Sequence, residues 1–190
     1  MKLLFALSLA AAAVLGALSK PASPRPASVA RRVVVTVDDL PSVSRNFRAP
    51  QDRERLTKKL VAAIVAANVP AVGFVNEGKI HRDGVVDSAG IALLRQWTHA
   101  GLELGNHSYS HADLHAVPVD SFLRDVERGD IVTRQVMVDR GRRPRYFRHP
   151  YLHTGRSPRD RARVDSLLAA RGYRVAPVTI DNSDYIFAAA

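Results

Sequence analysis

Two carboxylates and two imidazoles are spaced in this sequence so that they could bind a metal ion. Asp38 and Asp39 directly follow the β-branched run Val33–Val37, and His107 and His111 lie four residues apart. In a helical turn that spacing places both imidazoles on one face. Two histidines and one carboxylate can hold a metal ion with positions open for water and substrate, and the other acid could then serve as a base. An Asp-Asp pair is also typical of a turn or a helix cap.

Further polar groups occur in two later segments. Arg148 could pair with a carboxylate and hold it ionised in one orientation. His149 and His153 repeat the four-residue spacing and form a rival metal pair, although Pro150 between them disfavours a regular helical turn. Asp181 offers another carboxylate, for which an Asx turn is the alternative interpretation.

Largely apolar strands are predicted to alternate with helices, which indicates a parallel sheet covered by helices. We expect strands at 33–37, 71–75, 102–105, 146–148 and 173–180, and helices at 52–68, 88–100, about 120–139 and 159–171. The fold class is therefore α/β, as an open sheet or a barrel. Active residues of such folds collect at the carboxyl ends of strands, and each polar segment above follows a predicted strand. Trp97 and Phe122 are expected in the core.

The composition restricts the chemistry. The chain has no cysteine, which excludes disulfides, thiolate zinc sites and cysteine nucleophiles, so any metal must be held by His, Asp or Glu. Its 28 Lys and Arg outnumber its 18 Asp and Glu, giving a formal net charge of +10. The basic residues are scattered and not interleaved with stacking aromatics, so we expect no nucleic-acid partner. An anionic cell envelope is the expected neighbour.

The N-terminus predicts export. Residues 1–19 have a basic start, an apolar stretch and a small-residue cleavage site, as in a secretory signal peptide. The stretch at 3–18 is shorter than the ~20 residues that a membrane-spanning helix needs, so no stable anchor is expected after cleavage. A Pro/Ala-rich linker at 20–31 and a folded domain at 32–190 follow. The expected location is periplasmic or secreted.

Four motifs resemble, in order, those of the polysaccharide deacetylases, carbohydrate esterase family 4 with its NodB homology domain. They lie at 36–39, 107–111, 148–151 and 181–185, and the resemblance covers roughly residues 32–190. It implies a distorted (β/α) barrel and the metal-dependent removal of N- or O-linked acetyl groups from a glycan, such as an N-acetylglucosamine polymer.

The resemblance also implies a role for each matching residue. Asp38 would be the general base, Arg148 would orient it, the Tyr151 backbone N–H would bind the oxyanion, and Asp181 would support the site. The implied metal ligands are Asp39, His107 and His111. The implied ion is divalent, with zinc expected and cobalt, nickel or manganese as alternatives.

The chain departs from the family pattern at three places. Leu40-Pro41 replaces the usual glycine after the acids, and Tyr185 replaces a tryptophan. A Leu-x-His motif with the general acid does not follow Ile180, so we expect a truncated domain that lacks its last strands. These departures keep two alternatives open: a hydrolase of a small non-glycan amide, and a non-catalytic glycan-binding remnant.

Overall fold

The structure is a computed structural model that describes residues 33–41, 49–82 and 84–183. The predicted signal peptide and linker, and Tyr185, lie outside the described residues. Within the described ranges, no helix combines the length and the apolar character that crossing a membrane requires.

Five parallel strands form the central sheet of the described residues. They are β1 (Val35–Leu40), β2 (Ala71–Val75), β5 (Glu103–Asn106), β6 (Tyr146–Phe147) and β7 (Arg174–Val175). Their order is β1-β2-β5-β6-β7, so the sheet is open, with β1 and β7 at its edges. The predicted α/β class is confirmed. An antiparallel pair that the sequence analysis does not predict, β3 (His81–Arg82) and β4 (Val85–Val86), lies outside this sheet.

Two strand predictions need correction. β1 begins two residues later than expected and continues through Leu40, so Asp38 and Asp39 lie within the strand. The predicted strand at 173–180 is only Arg174–Val175. Its neighbour β6 has two residues. Beyond Val175, the Ala176 N–H donates to the Phe147 carbonyl of β6 at 2.8 Å.

Helices cover the sheet. They are α1 (Pro50–Ala66), α2 (Ser88–His99), α3 (Val119–Arg128), α4 (Ile131–Val138) and α5 (Pro158–Ala170), with 3₁₀ helices at Glu77–Ile80 and Pro150–Leu152. Asp87 begins α2 by accepting the Ala89 N–H at 2.9 Å. Gly101, with φ +82°, follows its end.

The helix predicted at about 120–139 is in fact two helices, α3 and α4. The break is at Gly129, where an added Cβ would lie 2.5 Å from the Ser108 carbonyl carbon. The backbone of the histidine loop therefore packs directly on the end of α3. The side chain of Glu77, from another part of the chain, then accepts the Val132 and Thr133 N–H groups in the first turn of α4.

The buried apolar residues form two clusters. One contains Trp97 with residues of β2, β5, α2 and α4, and the other contains Phe122 and Phe147 with residues of α5. Trp97 is 1% exposed and Phe122 is 0% exposed, which confirms both as core. The clusters hold the strand ends, and thus the site, in place.

Candidate functional site

All seven residues predicted for the site line one cavity of about 440 Å³. They are Asp38, Asp39, His107, His111, Arg148, Tyr151 and Asp181. Each comes from the carboxyl-end region of a strand or the loop after it, which is where parallel α/β sheets place their sites.

A β-bulge brings both adjacent acids to the cavity. β1 pairs with β2 in regular register up to Val37 and Gly73, and then shifts so that Leu40 pairs with Val75. Asp39 adopts a left-handed conformation, with φ +68°. Neighbouring residues of a regular strand point to opposite faces, but the extra residue of a bulge changes this alternation. Both acids therefore line the same cavity.

Three side chains form a cluster suited to a metal ion. Ligand atoms of Asp39, His107 and His111 all lie within 4.8 Å of one another. His111 Nε2 is 3.8 Å from Asp39 Oδ1, and the two imidazole rings lie 4.9 Å apart at 73°. Two imidazoles and a carboxylate suit zinc and other first-row divalent ions.

The surroundings of His107 fix which nitrogen faces the cluster. Its Nδ1 lies 2.8 Å from the Arg148 carbonyl oxygen. A carbonyl only accepts, so Nδ1 carries the proton and Nε2 keeps a lone pair. That Nε2 lies 4.0 Å from Asp38 Oδ2. A hydrogen bond from the far ring nitrogen is the usual way in which proteins orient a histidine toward a metal.

Burial keeps the two imidazoles neutral. It lowers the pKa of His107 to about 4, against the opposing effect of the Arg148 carbonyl. Burial also lowers the pKa of His111, against the attraction of Asp39. A histidine must be neutral to bind a metal, so both imidazoles are ready to bind at neutral pH.

Lys79 places a positive charge beside Asp39. Its Nζ donates to Asp39 Oδ1 and to the Asp39 carbonyl oxygen, each at 2.9 Å. Burial raises the pKa of Asp39, but the charge and the hydrogen bond of Lys79 act against burial, and this pKa lies below its ordinary value. The carboxylate is therefore ionised and attractive to a cation.

The loop at 107–111 is not helical, which corrects the expected helical turn. Ser108 and His111 have φ values of +65° and +59°, so left-handed residues bring the imidazoles together. The loop is held at several points. Asn76 Nδ2 donates to the His107 carbonyl at 2.6 Å, and Asp125 Oδ2 accepts the Ser110 N–H at 3.0 Å.

Arg148 connects Asp38, the acid outside the three-residue cluster, to the core. It is 2% exposed, its Nη1 donates to Asp38 Oδ2 at 3.3 Å, and its Nη2 donates to Thr36 Oγ1 at 3.2 Å. The guanidinium lies 4.8 Å from the centre of the Phe74 ring. Asp38 is thus oriented by a rigid cation beside the three-residue cluster.

Tyr151 and Asp181 lie at the edge of the arrangement. Tyr151 has φ +56° and its ring lies 4.6 Å from that of His111. Asp181 lines the cavity but is exposed, and its Oδ1 accepts the Ser183 N–H at 2.8 Å. This contact is the Asx turn that the sequence analysis gave as the alternative interpretation. Asp181 is not part of the metal cluster.

The rival pair His149 and His153 does not meet at one ion. His149 is 4% exposed and lies among aromatic rings, parallel to Phe122 at 6.1 Å and perpendicular to Phe147 at 5.0 Å. His153 instead hydrogen bonds to Asp113. The rival interpretation is therefore wrong.

Replacing His149 with phenylalanine should make the fold less sensitive to acid. Burial, opposed by Asp165 and reinforced by Arg161, lowers the pKa of His149 from 6.5 to about 4. Between these values the unfolded chain binds a proton that the folded chain does not, so stability is lost as the pH falls. From pH 7 to pH 5, the free energy of unfolding should drop by about 2 kcal/mol more in wild type than in His149→Phe.

Urea denaturation at each pH measures this difference. His99 is exposed, so His99→Phe serves as a control that should keep the acid sensitivity of the wild type. An equal pH dependence in wild type and His149→Phe would contradict the prediction.

Sequence reasoning missed two residues that follow β2. Lys79 contacts Asp39, and the fully buried Glu77 caps α4. Both lie in the segment after an apolar strand, so the strand-end rule used for the other motifs would have found them.

The family model described as polysaccharide deacetylase matches residues 26–169. No curated protein sequence matches the chain significantly.

Solved structures show the same fold. A family 4 carbohydrate esterase from Streptomyces lividans has a TM-score of 0.60 and 23% identity, over 82% of this chain and 67% of that one. The chitin deacetylase of the fungal pathogen Colletotrichum lindemuthianum has a TM-score of 0.57 and 23% identity, over 80% and 58%. A CE4 family pseudoenzyme from Bacillus anthracis has a TM-score of 0.61 and 14% identity, over 83% and 47%.

The chain therefore spans about half to two thirds of the length of these structures. At these identities the likeness establishes the fold, a parallel α/β sheet of the carbohydrate esterase family 4 type. The family model covers most of the chain. The protein belongs to the polysaccharide deacetylase family.

Proposed function

We propose that this protein is a metal-dependent hydrolase that removes acetyl groups from a glycan. The observation that supports this most is the placement of Asp38 next to the Asp39–His107–His111 cluster in one cavity. A base beside a metal cluster is the arrangement required to activate water for amide or ester hydrolysis.

Asp39, His107 and His111 would hold a divalent ion, with zinc as the first candidate. A bound ion of this kind polarises a carbonyl group and lowers the pKa of water. The donor set fits this role, since both imidazoles are held neutral and Asp39 is held ionised.

Other residues of the cavity would have separate roles in the reaction. Asp38 accepts the proton of the attacking water and returns it to the sugar nitrogen or oxygen as the bond from that atom to the acetyl carbon breaks. Arg148 keeps the Asp38 carboxylate in one orientation through the 3.3 Å contact. The backbone N–H of Tyr151 donates to the oxygen that becomes negative when water adds to the acetyl carbon. Asp181 borders the cavity and contributes to its wall.

The proposed substrate is an acetylated glycan such as an N-acetylglucosamine polymer of a cell envelope. The relatives include a chitin deacetylase, and the sequence of residues 1–19 supports export. The small-amide alternative rests on Leu40-Pro41. Both residues are buried, and neither lines the cavity, which favours the glycan.

Acetate release from N-acetylglucosamine oligomers tests the proposal. We expect the full chain to deacetylate them, to lose activity when a chelator removes its metal, and to regain it with zinc or cobalt. His111→Ala should remain inactive after metal addition, whereas the exposed control His99→Ala should behave like wild type. Chelator-resistant activity would contradict metal dependence, and release of acetate from small acetamides alone would reassign the substrate.

A non-catalytic glycan-binding role is the second candidate, because a CE4 pseudoenzyme is among the similar structures. In that case the zinc-loaded chain would bind the oligomers without releasing acetate. Calorimetric binding measured beside the acetate assay separates the two candidates.

A further inference from the structure

A second group of metal-binding residue types lies outside the cavity. Ligand atoms of Asp113, His115 and His153 all lie within 4.8 Å of one another. None of the three lines the cavity, and each is partly buried. This group, the 113–115–153 cluster, thus has the same composition as the first cluster, one carboxylate and two imidazoles.

The contacts within the cluster are short. His153 Nδ1 lies 2.7 Å from Asp113 Oδ1, and the same oxygen accepts the His115 backbone N–H at 2.7 Å. The two imidazole rings are stacked, with centroids 3.9 Å apart and planes at 11°. Three side chains from two separate loops therefore converge on one small volume.

One nitrogen of the cluster lacks a hydrogen bond. His115 Nε2 is buried and has no hydrogen-bond partner among the described residues. Buried polar atoms are nearly always satisfied by protein, water or an ion. A metal ion bound through this nitrogen would supply the missing interaction.

We propose that Asp113, His115 and His153 bind a second divalent transition-metal ion. Mixed imidazole and carboxylate donors favour zinc, nickel or copper over calcium or magnesium. The ion displaces the proton between His153 and Asp113, and that proton passes to solvent. The stacked rings present their nitrogens in parallel planes, so one ring turns about its side-chain torsions to direct its lone pair to the same ion.

The ion would connect the two loops that carry the proposed catalytic groups. Asp113 and His115 follow His111 in the loop after β5, and His153 follows Tyr151 in the loop after β6. The Tyr151 ring lies 4.6 Å from His111 and 5.8 Å from His153. Binding at the second site would therefore hold the cavity wall in place. It uses residues distinct from the first cluster and does not depend on the proposed activity.

Zinc stoichiometry of the full chain tests the proposal. Metal-free protein is titrated with zinc in a calorimeter, and bound zinc is measured by elemental analysis after gel filtration. We expect wild type and the exposed control His99→Ala to bind two zinc ions per chain. His115→Ala/His153→Ala and His107→Ala/His111→Ala should each bind one.

A second variant distinguishes loss of a metal ligand from loss of the fold. His153→Asn keeps an amide N–H that can donate to Asp113 but removes the imidazole, and circular dichroism checks that it folds. Loss of one zinc ion in folded His153→Asn supports the second site.

The outcomes for the two sites are separable. If wild type binds one zinc ion that only His107→Ala/His111→Ala removes, the second site is wrong and the proposed function stands. If the single ion is removed only by His115→Ala/His153→Ala, the second site stands and the first does not. Two ions retained in His115→Ala/His153→Ala would overturn the proposal.

Discussion

Asp38→Asn is expected to lower the turnover number for acetate release by about 10²–10⁴-fold, the contribution typical of a general base. Asparagine has nearly the same shape, so its oxygen can still accept from Arg148, which lies 3.3 Å from Asp38 Oδ2. It cannot take a proton from water. The three proposed metal ligands are other residues, so the variant should bind zinc as wild type does.

Steady-state kinetics and metal content, measured on the same preparation, check this result. Asp120→Asn is the matched control, because the Asp120 side chain is 62% exposed and pairs with Arg163 on the surface. Activity within a few-fold of wild type would show that another group is the base. Loss of zinc together with activity would assign Asp38 to the metal.

Of the substitutions considered, Glu77→Ala should lower the free energy of unfolding most, by about 3 kcal/mol. Glu77 is fully buried, and its two carboxylate oxygens accept the Val132 and Thr133 N–H groups at 3.0 and 2.6 Å. Truncation leaves two donors of α4 without a partner, and each buried orphan donor costs about 1–3 kcal/mol. The total is a large fraction of the ordinary stability of a domain, about 5–15 kcal/mol.

Urea denaturation of Glu77→Ala and Glu77→Gln measures the effect. Burial raises the pKa of Glu77, against the two backbone hydrogen bonds, so removing the charge alone should cost little. Glutamine keeps an oxygen acceptor for one of the two N–H groups but places an NH2 donor opposite the other, so it should lose about half as much stability as alanine. If the alanine and glutamine variants were equally stable, the carboxylate would not be the cap of α4 that the geometry indicates.

Local patterns in the sequence located most of the strands and predicted which residues share one cavity. The run Ala71–Val75 is apolar at every position, and the structure buries all five residues in the sheet. Parallel strands deliver their carboxyl ends to one edge, so motifs far apart in sequence were expected to meet. All seven predicted site residues do line one cavity.

Local patterns failed where a distant part of the chain decides the conformation. The amphipathic pattern from 120 to 139 continues through Gly129, but the Ser108–Tyr109 backbone packs there and Glu77 caps a new helix. The four-residue spacing of His107 and His111 predicted a helical turn. Their meeting depends instead on left-handed residues and on contacts from Asn76 and Asp125.

The sequence by itself determined which side chains can bind a metal and which strands carry them, because these follow from residue type and hydrophobic period. Only the tertiary structure decided how they are used. The bulge in β1 directs both acids to one cavity. His149 packs against Phe122 in the core, and His153 lies beside Asp113 and His115. Such arrangements depend on packing between segments tens of residues apart, which spacing along the chain does not encode.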